Sequence, residues 1–339
     1  MADILRIGVI GAGRIGTIHA HNISRFIPFA RLEGVADLRM NGAMEHWAKD
    51  LGARVACTHP GDLISDPSID AVAICSSTDT HAEFIIAAAD AGKHIFCEKP
   101  IDLNLDKVQT AITSAQRAGV KLQIGFNRRF DHNFAGIKKH ILAGTIGQMH
   151  ILKITSRDPA PPPPDYIAAS GGIFLDMMTH DFDMARFLAG SEIVEVYAAG
   201  EVLIDPNIGK VGDIDTAVVT LRFAGGAMGI IDNSRKAAYG YDQRVEAFGS
   251  AGAVIAENDI PNTVKLYNAS GVTTEKPLYF FLERYQGSFV EEMTAFADAV
   301  VNDKPVPVSG EDGLSNMLAA LAAGKSLREG RPVKIAEVQ

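Results

Sequence analysis

The chain has 339 residues, 47% of them hydrophobic and 22% charged, and a formal net charge of −9. This length exceeds what one ordinary core supports, so two domains are expected. The acidic balance and the lack of Lys/Arg clusters argue against a nucleic-acid partner. No apolar stretch could cross a bilayer and no basic leader opens the chain, so we expect a cytoplasmic protein with no membrane partner.

The three cysteines, Cys57, Cys75 and Cys97, are sparse, odd in number and without C-x-x-C spacing. Such a count indicates a reducing compartment rather than a disulfide framework.

Short apolar runs alternate with helical periods in the first third of the chain. This alternation predicts a parallel sheet covered by helices on both faces. Asn41 is expected to cap the second helix, and Gly119 to end the fourth. The predicted strands are 5–10, 32–36, 71–75, 94–97 and 121–124, and the predicted helices are 14–26, 42–51, 82–91 and 105–118.

The pattern changes after Gly125. A proline run between Pro159 and Pro164 predicts a stiff loop, either a spacer or a wall of the pocket. Strands are predicted at 217–223 and 227–232, joined by a tight turn, and at 245–248 and 264–267, with helical stripes at 289–300 and 314–321. We therefore expect an α+β domain over 126–339 with a large open, mainly antiparallel sheet whose free face could mediate oligomers.

A glycine-rich turn follows the first predicted strand and opens the first helix. Gly11-Ala12-Gly13-Arg14-Ile15-Gly16 has the G-x-G-x-x-G spacing that places a pyrophosphate at a helix N-terminus. Asp37 ends the second strand, where a carboxylate can accept both ribose hydroxyls and repel a 2′-phosphate. These residues predict a Rossmann domain over 1–125 that binds NAD, although Arg39 could pair with the 2′-phosphate of NADP.

Two later strand ends should face the same crevice, because ligands lie at the carboxyl ends of parallel strands. The first carries Ser76, Ser77, Thr78 and His81 as candidate cofactor contacts, with Thr78 or Asp79 capping the next helix as a compatible alternative. The second carries Glu98 and Lys99 before Pro100, and the lysine should point a cation into the crevice. An exposed surface lysine is the alternative.

Asp176 and His180 are four residues apart, a spacing that would put them on one face of a single helix. A carboxylate beside an imidazole can orient the ring as a general base, whereas a solvated ion pair is the plainer interpretation. Asp183 is expected near this face and Asp181 elsewhere. A metal would need a third ligand, which the spacing does not offer, so no metal is expected.

Together, G-A-G-R-I-G at 11–16, S-T-D-T-H at 77–81, E-K-P at 98–100 and D-x-x-x-H at 176–180 resemble the glucose-fructose oxidoreductase / inositol dehydrogenase / rhizopine catabolism (Gfo/Idh/MocA) family. The resemblance covers nearly the whole chain. It implies an N-terminal Rossmann domain and a C-terminal open-sheet domain, usually in a tetramer. Within the family, the stretch 156–187 is most similar to the subgroup that oxidises inositols at carbon 2.

That subgroup implies oxidation of myo-inositol to its 2-ketone with NAD as acceptor. His180 would be the general base, Asp176 would orient it, and Lys99 would donate a hydrogen bond to the reacting oxygen. An uncharged polyol needs a polar pocket, for which Asn127, Arg128 and Asp158 are candidates unless they are ordinary loop polarity. Tyr239 or Tyr241, with Tyr239 favoured, should correspond to the subgroup's substrate-contacting tyrosine.

Other functions remain open on the sequence alone. The same fold serves dehydrogenases of another inositol isomer or of an aldose, with NAD or NADP, and some relatives are NAD-dependent glycosidases. A non-catalytic NAD-binding regulator is disfavoured by the presence of Lys99, Asp176 and His180 together.

Overall fold

The first part of the chain alternates strands and helices. The computed structural model describes residues 4–339, and a 3₁₀ turn over Thr78–Thr80 precedes the fourth helix. The elements are β1 (Leu5–Ile10), α1 (Arg14–Arg25), β2 (Ala30–Ala36), α2 (Gly42–Asp50), β3 (Val55–Cys57), α3 (Pro60–Ser65), β4 (Ala71–Ile74), α4 (His81–Asp90), β5 (His94–Glu98), α5 (Leu105–Ala118) and β6 (Leu122–Gly125).

The rest of the chain begins with a 3₁₀ turn over Asn127–Phe130 and ends with one over Ile335–Glu337. Between them lie α6 (His132–Leu142), β7 (Met149–Arg157), α7 (Pro164–Ser170), α8 (Gly172–Asp176), α9 (Thr179–Ala189), β8 (Ile193–Glu201), α10 (Pro206–Lys210), β9 (Thr216–Phe223), β10 (Met228–Ser234), β11 (Asp242–Gly249), β12 (Gly252–Ala256), β13 (Lys265–Asn268), β14 (Gly271–Thr274), α11 (Phe281–Arg284), α12 (Gln286–Val301), α13 (Gly310–Glu329) and β15 (Val333–Lys334).

The chain forms two compact units. The first comprises the chain up to Asn127 together with Ser288–Ser315, and the second comprises Arg128–Gly287 together with Asn316–Gln339. The first boundary lies two residues from the expected one. The segment 288–315, expected in the second domain, belongs to the first unit because Met293, Phe296 and Ala297 of α12 are buried in the core beneath β1.

The six strands of the first unit confirm the predicted parallel sheet. Their order is β3-β2-β1-β4-β5-β6, with all pairs parallel. This is the order of a dinucleotide-binding Rossmann fold, in which successive strands are added on one side of β1 and then, from β4, on the other, which opens a crevice between β1 and β4. The short β3 and α3 were not predicted, because three half-buried residues and a six-residue helix carry too little periodicity.

Local signals end the helices where the sequence indicates. The Asn41 side chain accepts hydrogen bonds from the backbone N–H groups of Ala43 and Met44, as expected of a cap. Gly119 follows α5 with φ of +67°, a left-handed conformation that favours glycine.

The second unit holds a seven-stranded sheet in the order β12-β11-β7-β10-β9-β8-β15. Only β7 and β10 pair in parallel, so the expected open, mainly antiparallel sheet is confirmed. The predicted strand at 264–267 is present, but it forms a separate exposed hairpin of β13 and β14 instead of joining the large sheet. Within residues 4–339, none of the helices has the length and apolar character to span a bilayer.

Candidate active site: a dinucleotide cradle and a polar cluster

The three glycines of the G-A-G-R-I-G turn differ in their surroundings as their spacing leads us to expect. Gly11 has φ of +91°, and a Cβ there would lie 2.7 Å from the backbone of Ser76. A Cβ at Gly16 would lie 1.8 Å from the carbonyl oxygen of Gly11, so only glycine lets α1 pack this closely. At Gly13, by contrast, nothing lies within 4 Å of the added Cβ. The open position beside Gly13 is therefore the place where a pyrophosphate can approach the backbone.

The start of α1 suits an anion. Gly13 is its N-cap, and no side chain of the described residues caps the helix, so its first N–H groups are available to phosphate oxygens. Ala12, just before the helix, is buried, and in the first turn Arg14 is exposed and Ile15 half-buried. The cradle therefore fits a dinucleotide.

Asp37 lies directly beside the glycine turn. Its carboxylate accepts hydrogen bonds from the backbone N–H groups of Ala12 and Arg39, both at 2.8 Å, and the residue is only 8% exposed. The Arg39 side chain is 82% exposed, with Nε 3.7 Å from Asp37 Oδ1. A carboxylate fixed at this position disfavours a 2′-phosphate, so the geometry favours NAD.

The loop after β4 is held by hydrogen bonds among its own residues. Ser76 Oγ lies 2.7 Å from Thr80 Oγ1, which donates to the Ser77 carbonyl. The next helix begins at His81 without a side-chain cap, so the expected capping by Thr78 or Asp79 is wrong because the 3₁₀ turn intervenes.

The ring of His81 is buried between two strand-end loops. Nδ1 lies 2.8 Å from the Pro100 carbonyl and Nε2 lies 3.0 Å from the Ser76 carbonyl. Both nitrogens are therefore engaged with the backbone, and His81 holds the loops after β4 and β5 together.

Glu98 ends β5 and Lys99 follows it, so the strand delivers both to the crevice edge of the sheet. The Lys99–Pro100 peptide bond is cis, and both residues are half-buried. Asn127 is buried in the same unit and donates from Nδ2 to Ser288 Oγ at 3.1 Å.

The prediction that Asp176 and His180 lie on one helix is wrong. Asp176 ends α8 and His180 lies in the first turn of α9, with Met177 and Met178 between the helices. Two left-handed glycines, Gly171 and Gly172 with φ of +85° and +81°, separate α8 from α7, so the chain turns tightly before and after Asp176. The four-residue spacing could not show these breaks, because the apolar pattern continues through them.

Asp176 has two partners that the sequence did not indicate. The Tyr166 hydroxyl donates to Oδ1 at 2.9 Å, and Arg235 Nη1 lies 3.5 Å from Oδ2. Arg235 is 1% exposed and also pairs with Asp213, whose carboxylate accepts a hydrogen bond from the Ile173 N–H at the start of α8. Arg235 therefore ties Asp176 to the sheet through β10. The one signal in the sequence for this ion pair is the position of Arg235 shortly after a predicted strand.

Asp158 lies in the same electrostatic neighbourhood. Burial raises its pKa to about 6; the cations of Arg128 and Arg235 oppose this shift, while the charges of Asp176 and Asp181 add to it. The residue follows β7, and its backbone is fixed by hydrogen bonds with Ser234 and Ala237. Asp158, Asp176 and Arg235 thus form one polar cluster in the second unit.

Arg128 is a buried supporting group rather than an open ligand. It is 5% exposed and pairs with Asp181 at 2.6 Å, and its Nη2 lies 3.4 Å from the Tyr241 hydroxyl. The expectation for the two aspartates after His180 was therefore reversed. Asp181 lies next to the cluster, whereas Asp183 pairs with Arg129 and Asn316.

The two candidate tyrosines differ in their surroundings. Tyr239 is 41% exposed, and its hydroxyl donates to Asp242 at 2.5 Å and accepts from Arg157 at 3.1 Å. Tyr241 is 5% exposed, and burial raises its pKa well above the ordinary value, with the charges of Asp158 and Asp181 among the further contributions. The geometry therefore favours Tyr241, not Tyr239, as the tyrosine of the polar cluster.

The first unit is a Rossmann domain with an intact phosphate cradle, and the second is an open-sheet domain with a carboxylate-rich cluster. These two features define a two-domain NAD-binding oxidoreductase. Residues 5–126 match the model of an oxidoreductase family with an NAD-binding Rossmann fold, and residues 134–255 match the model of the Gfo/Idh/MocA C-terminal domain. The chain belongs to the Gfo/Idh/MocA family.

Three full-length relatives illustrate the similarity. The chain is 55% identical to myo-inositol 2-dehydrogenase of Thermotoga maritima, over 98% of this chain and 99% of that protein. It is 46% identical to inositol 2-dehydrogenase of Rhizobium meliloti, with the same coverage. The crystal structure of scyllo-inositol dehydrogenase from Lactobacillus casei with bound NAD(H) and scyllo-inositol superposes with a TM-score of 0.89 at 33% identity, covering 98% of this chain and 100% of that one.

Proposed function

We propose that this chain oxidises myo-inositol at carbon 2 to 2-keto-myo-inositol, with NAD as the acceptor. The observation that carries the proposal is the 55% identity, over 98% of the chain, to a protein named for that activity. The dinucleotide cradle at Gly11–Gly16 and the fixed carboxylate of Asp37 support the cofactor assignment.

Bound NAD would supply the hydride acceptor, held by the N-terminal N–H groups of α1 and by Asp37. Arg14, Ile15, Ser76, Ser77 and Thr78 line the strand ends and the helix start around this position. His81 and Glu98 would support the cradle indirectly, since His81 contacts the carbonyls of Pro100 and Ser76 and Glu98 contacts the ring of His19.

Three side chains would carry the proton chemistry. His180 would accept the proton of the reacting hydroxyl, and Asp176 would stabilise the imidazolium that forms. Lys99 would donate a hydrogen bond to the same oxygen as negative charge develops on it. The hydrogen bond from Tyr166 and the ion pair with Arg235 fix the Asp176 carboxylate for this task.

The hydroxyls around the inositol ring need donors and acceptors without a phosphate clamp. Asp158 and Tyr241 would supply an acceptor and a donor in the polar cluster, and the Asn127 amide stays a candidate for a further contact. Arg128 supports Tyr241 from beneath through its contact with the hydroxyl.

The test is NADH formation, followed by absorbance, with purified protein, NAD and saturating myo-inositol. Parallel reactions contain scyllo-inositol, D-glucose, or NADP in place of NAD. The proposal predicts the highest kcat/KM with myo-inositol and NAD. Preference for scyllo-inositol, for glucose or for NADP would reassign the substrate or cofactor, and no net NADH with any polyol would favour a glycosidase.

We also propose that the protein is a cytoplasmic homotetramer. The outward face of the large sheet exposes apolar side chains on neighbouring strands, with Tyr197 39%, Val218 48%, Met228 51% and Phe248 44% exposed. Adjacent exposed apolar residues of this kind mark association surfaces. The free thiols of Cys57, Cys75 and Cys97 suit a reducing compartment.

A further inference from the structure

A buried cluster in the first unit contains two residues, His19 and Glu292, that have no part in the chemistry described above. His19 of α1, Glu98 at the end of β5 and Glu292 of α12 bring their side-chain nitrogen and oxygen atoms within 4.8 Å of one another. His19 Nε2 lies 2.8 Å from Glu98 Oε1 and 3.9 Å from Glu292 Oε1. The side chains of His19 and Glu292 are 0% exposed and that of Glu98 is 13% exposed.

Glu292 is unusual because neither of its carboxyl oxygens has a hydrogen-bond partner among the described residues. Burial raises its pKa well above the ordinary value, and the charge of Glu98 adds to the shift. Its titratable neighbours are His19 from α1, Glu98 from β5 and the buried thiol of Cys75 after β4, whose own pKa is raised by burial. Burying a carboxylate without hydrogen-bond partners is costly, so this place favours the neutral acid form of Glu292.

The geometry fits a hydrogen-bonded cluster better than a metal site. Ligand atoms about 2.0 Å from a tetrahedral metal would be roughly 3.3 Å apart, whereas Nε2 and Oε1 are separated by a hydrogen-bond distance of 2.8 Å. A metal-bound histidine also normally donates its other ring N–H to an acceptor. His19 Nδ1 is buried without a partner in the described chain, as suits a ring that donates through Nε2.

The Glu98 side chain is confined from a second direction. Gly125 of β6 pairs with Glu98 across the sheet, and a Cβ at Gly125 would lie 3.1 Å from the Glu98 carboxylate. Successive side chains of a strand point to opposite faces, so fixing Glu98 toward α1 and α12 sets the direction in which Lys99 leaves the strand.

We propose that His19 and Glu292 are positioning residues for the reaction. His19 donates a hydrogen bond to Glu98, the neutral Glu292 carboxyl closes the cluster beneath it, and the fixed Glu98 orients the peptide that carries Lys99. This inference rests on the proposed role of Lys99 at the reacting oxygen.

Four variants test the proposal in the full-length protein. Glu292→Gln keeps the shape of a neutral acid, and kcat with myo-inositol should stay within about threefold of wild type. Glu292→Leu and His19→Leu remove the polar contacts and should lower kcat at least tenfold, with the Kd for NAD changed less than threefold. Met293→Ala, which removes a buried core side chain next to Glu292, should lower the melting temperature and leave kcat nearly unchanged.

Several outcomes would overturn the proposal. If Glu292→Gln is as impaired as Glu292→Leu, the carboxyl is ionised. If Met293→Ala loses as much kcat as His19→Leu, the role of the cluster is purely structural. A stoichiometric divalent metal in purified wild type that is lost in Glu292→Gln would make the cluster a metal site instead.

One readout is independent of the proposed reaction. The infrared difference spectrum of wild type minus Glu292→Gln should contain the C=O band of a protonated carboxyl at neutral pH. If wild type does not oxidise myo-inositol but the band is present, the proposed function fails and the cluster assignment stands. Without the band, the cluster assignment itself is wrong.

Discussion

Burial and neighbouring charge decide what each polar side chain of this protein can do. Arg128 and Asp181 are both buried and form an ion pair, and each makes a further hydrogen bond, so we treat them as supporting residues. Asp158 and Tyr241 lie in the same region with less complete pairing, and both have raised pKa values because of burial. At this scale, exposure and partners separate supporting residues from candidate ligands.

His180→Ala should lower kcat by about 10²–10⁴, because the residue is proposed as the general base. The Kd for NAD, measured by fluorescence titration, should not change. His132→Ala is the matched control, since His132 lies in the same unit with a side chain 69% exposed. Turnover of His180→Ala within tenfold of wild type would refute the assignment.

Asp158→Asn should stabilise the protein more at pH 8 than at pH 5. The folded-state pKa of Asp158 is raised from 3.8 to about 6, so its favourable contribution is full below pH 4 and is lost as the pH rises through 6. The asparagine variant avoids that loss, and its advantage should grow by about 1 kcal/mol between the two pH values. Urea unfolding of both proteins measures this difference, and a gap that is constant or shrinks with pH would contradict it.

Tyr241→Phe should raise KM for myo-inositol about tenfold, the order expected for one lost polar contact to the substrate. Tyr239→Phe should leave KM within about twofold, because that hydroxyl is already engaged by Asp242 and Arg157. Steady-state kinetics compare the two variants directly. The reverse ranking would restore the assignment that the sequence alone favoured.

At the scale of elements, the turn between β1 and α1 combines close packing at one glycine with open space at another. The glycine turn could be predicted from the sequence because each glycine has a local reason, and the structure shows the close approaches at Gly11 and Gly16 and the open space at Gly13. The helix bearing Asp176 and His180 could not, because nothing in the apolar pattern reveals the break at Met177 and Met178. Similarly, the partners of Asp176 come from distant parts of the chain, which periodicity does not report.

Gly13→Ala and Gly16→Ala should separate cofactor binding from folding. An alanine at Gly13 meets no protein atom within 4 Å, so the melting temperature should be preserved while the Kd for NAD rises at least tenfold. An alanine at Gly16 would lie 1.8 Å from the Gly11 oxygen and should lower the melting temperature as well. Calorimetry and NAD titration measure both, and unchanged NAD affinity in Gly13→Ala would place the pyrophosphate elsewhere.

At the scale of the whole molecule, the outward face of the large sheet should determine the oligomeric state. Light scattering after gel filtration should give four times the chain mass of 36.2 kDa. Val218→Lys places a charge on that face and should reduce the measured mass. Leu142→Lys, at a more exposed apolar residue at the end of α6, should not. A monomeric wild-type protein would refute the tetramer.

The two-domain organisation was largely predictable because alternating and strand-rich patterns differ in composition along the chain. The assignment of α12 to the first unit was not predictable. Its apolar stripe indicates that the helix is buried, but not in which of the two cores. For the same reason Glu292 could not be singled out from the sequence. It looks like an ordinary surface carboxylate of a helix until the structure shows α12 beside β5 and α1.

Deuterium transfer tests the central claim most directly. Myo-inositol deuterated at carbon 2 is incubated with the protein and NAD, and the reduced cofactor and the product are analysed by mass spectrometry. The account predicts one deuterium in the reduced nicotinamide and an unlabelled 2-keto-inositol. Unlabelled NADH would mean that hydride leaves another carbon, and no reduced cofactor at all would contradict the proposed dehydrogenase activity.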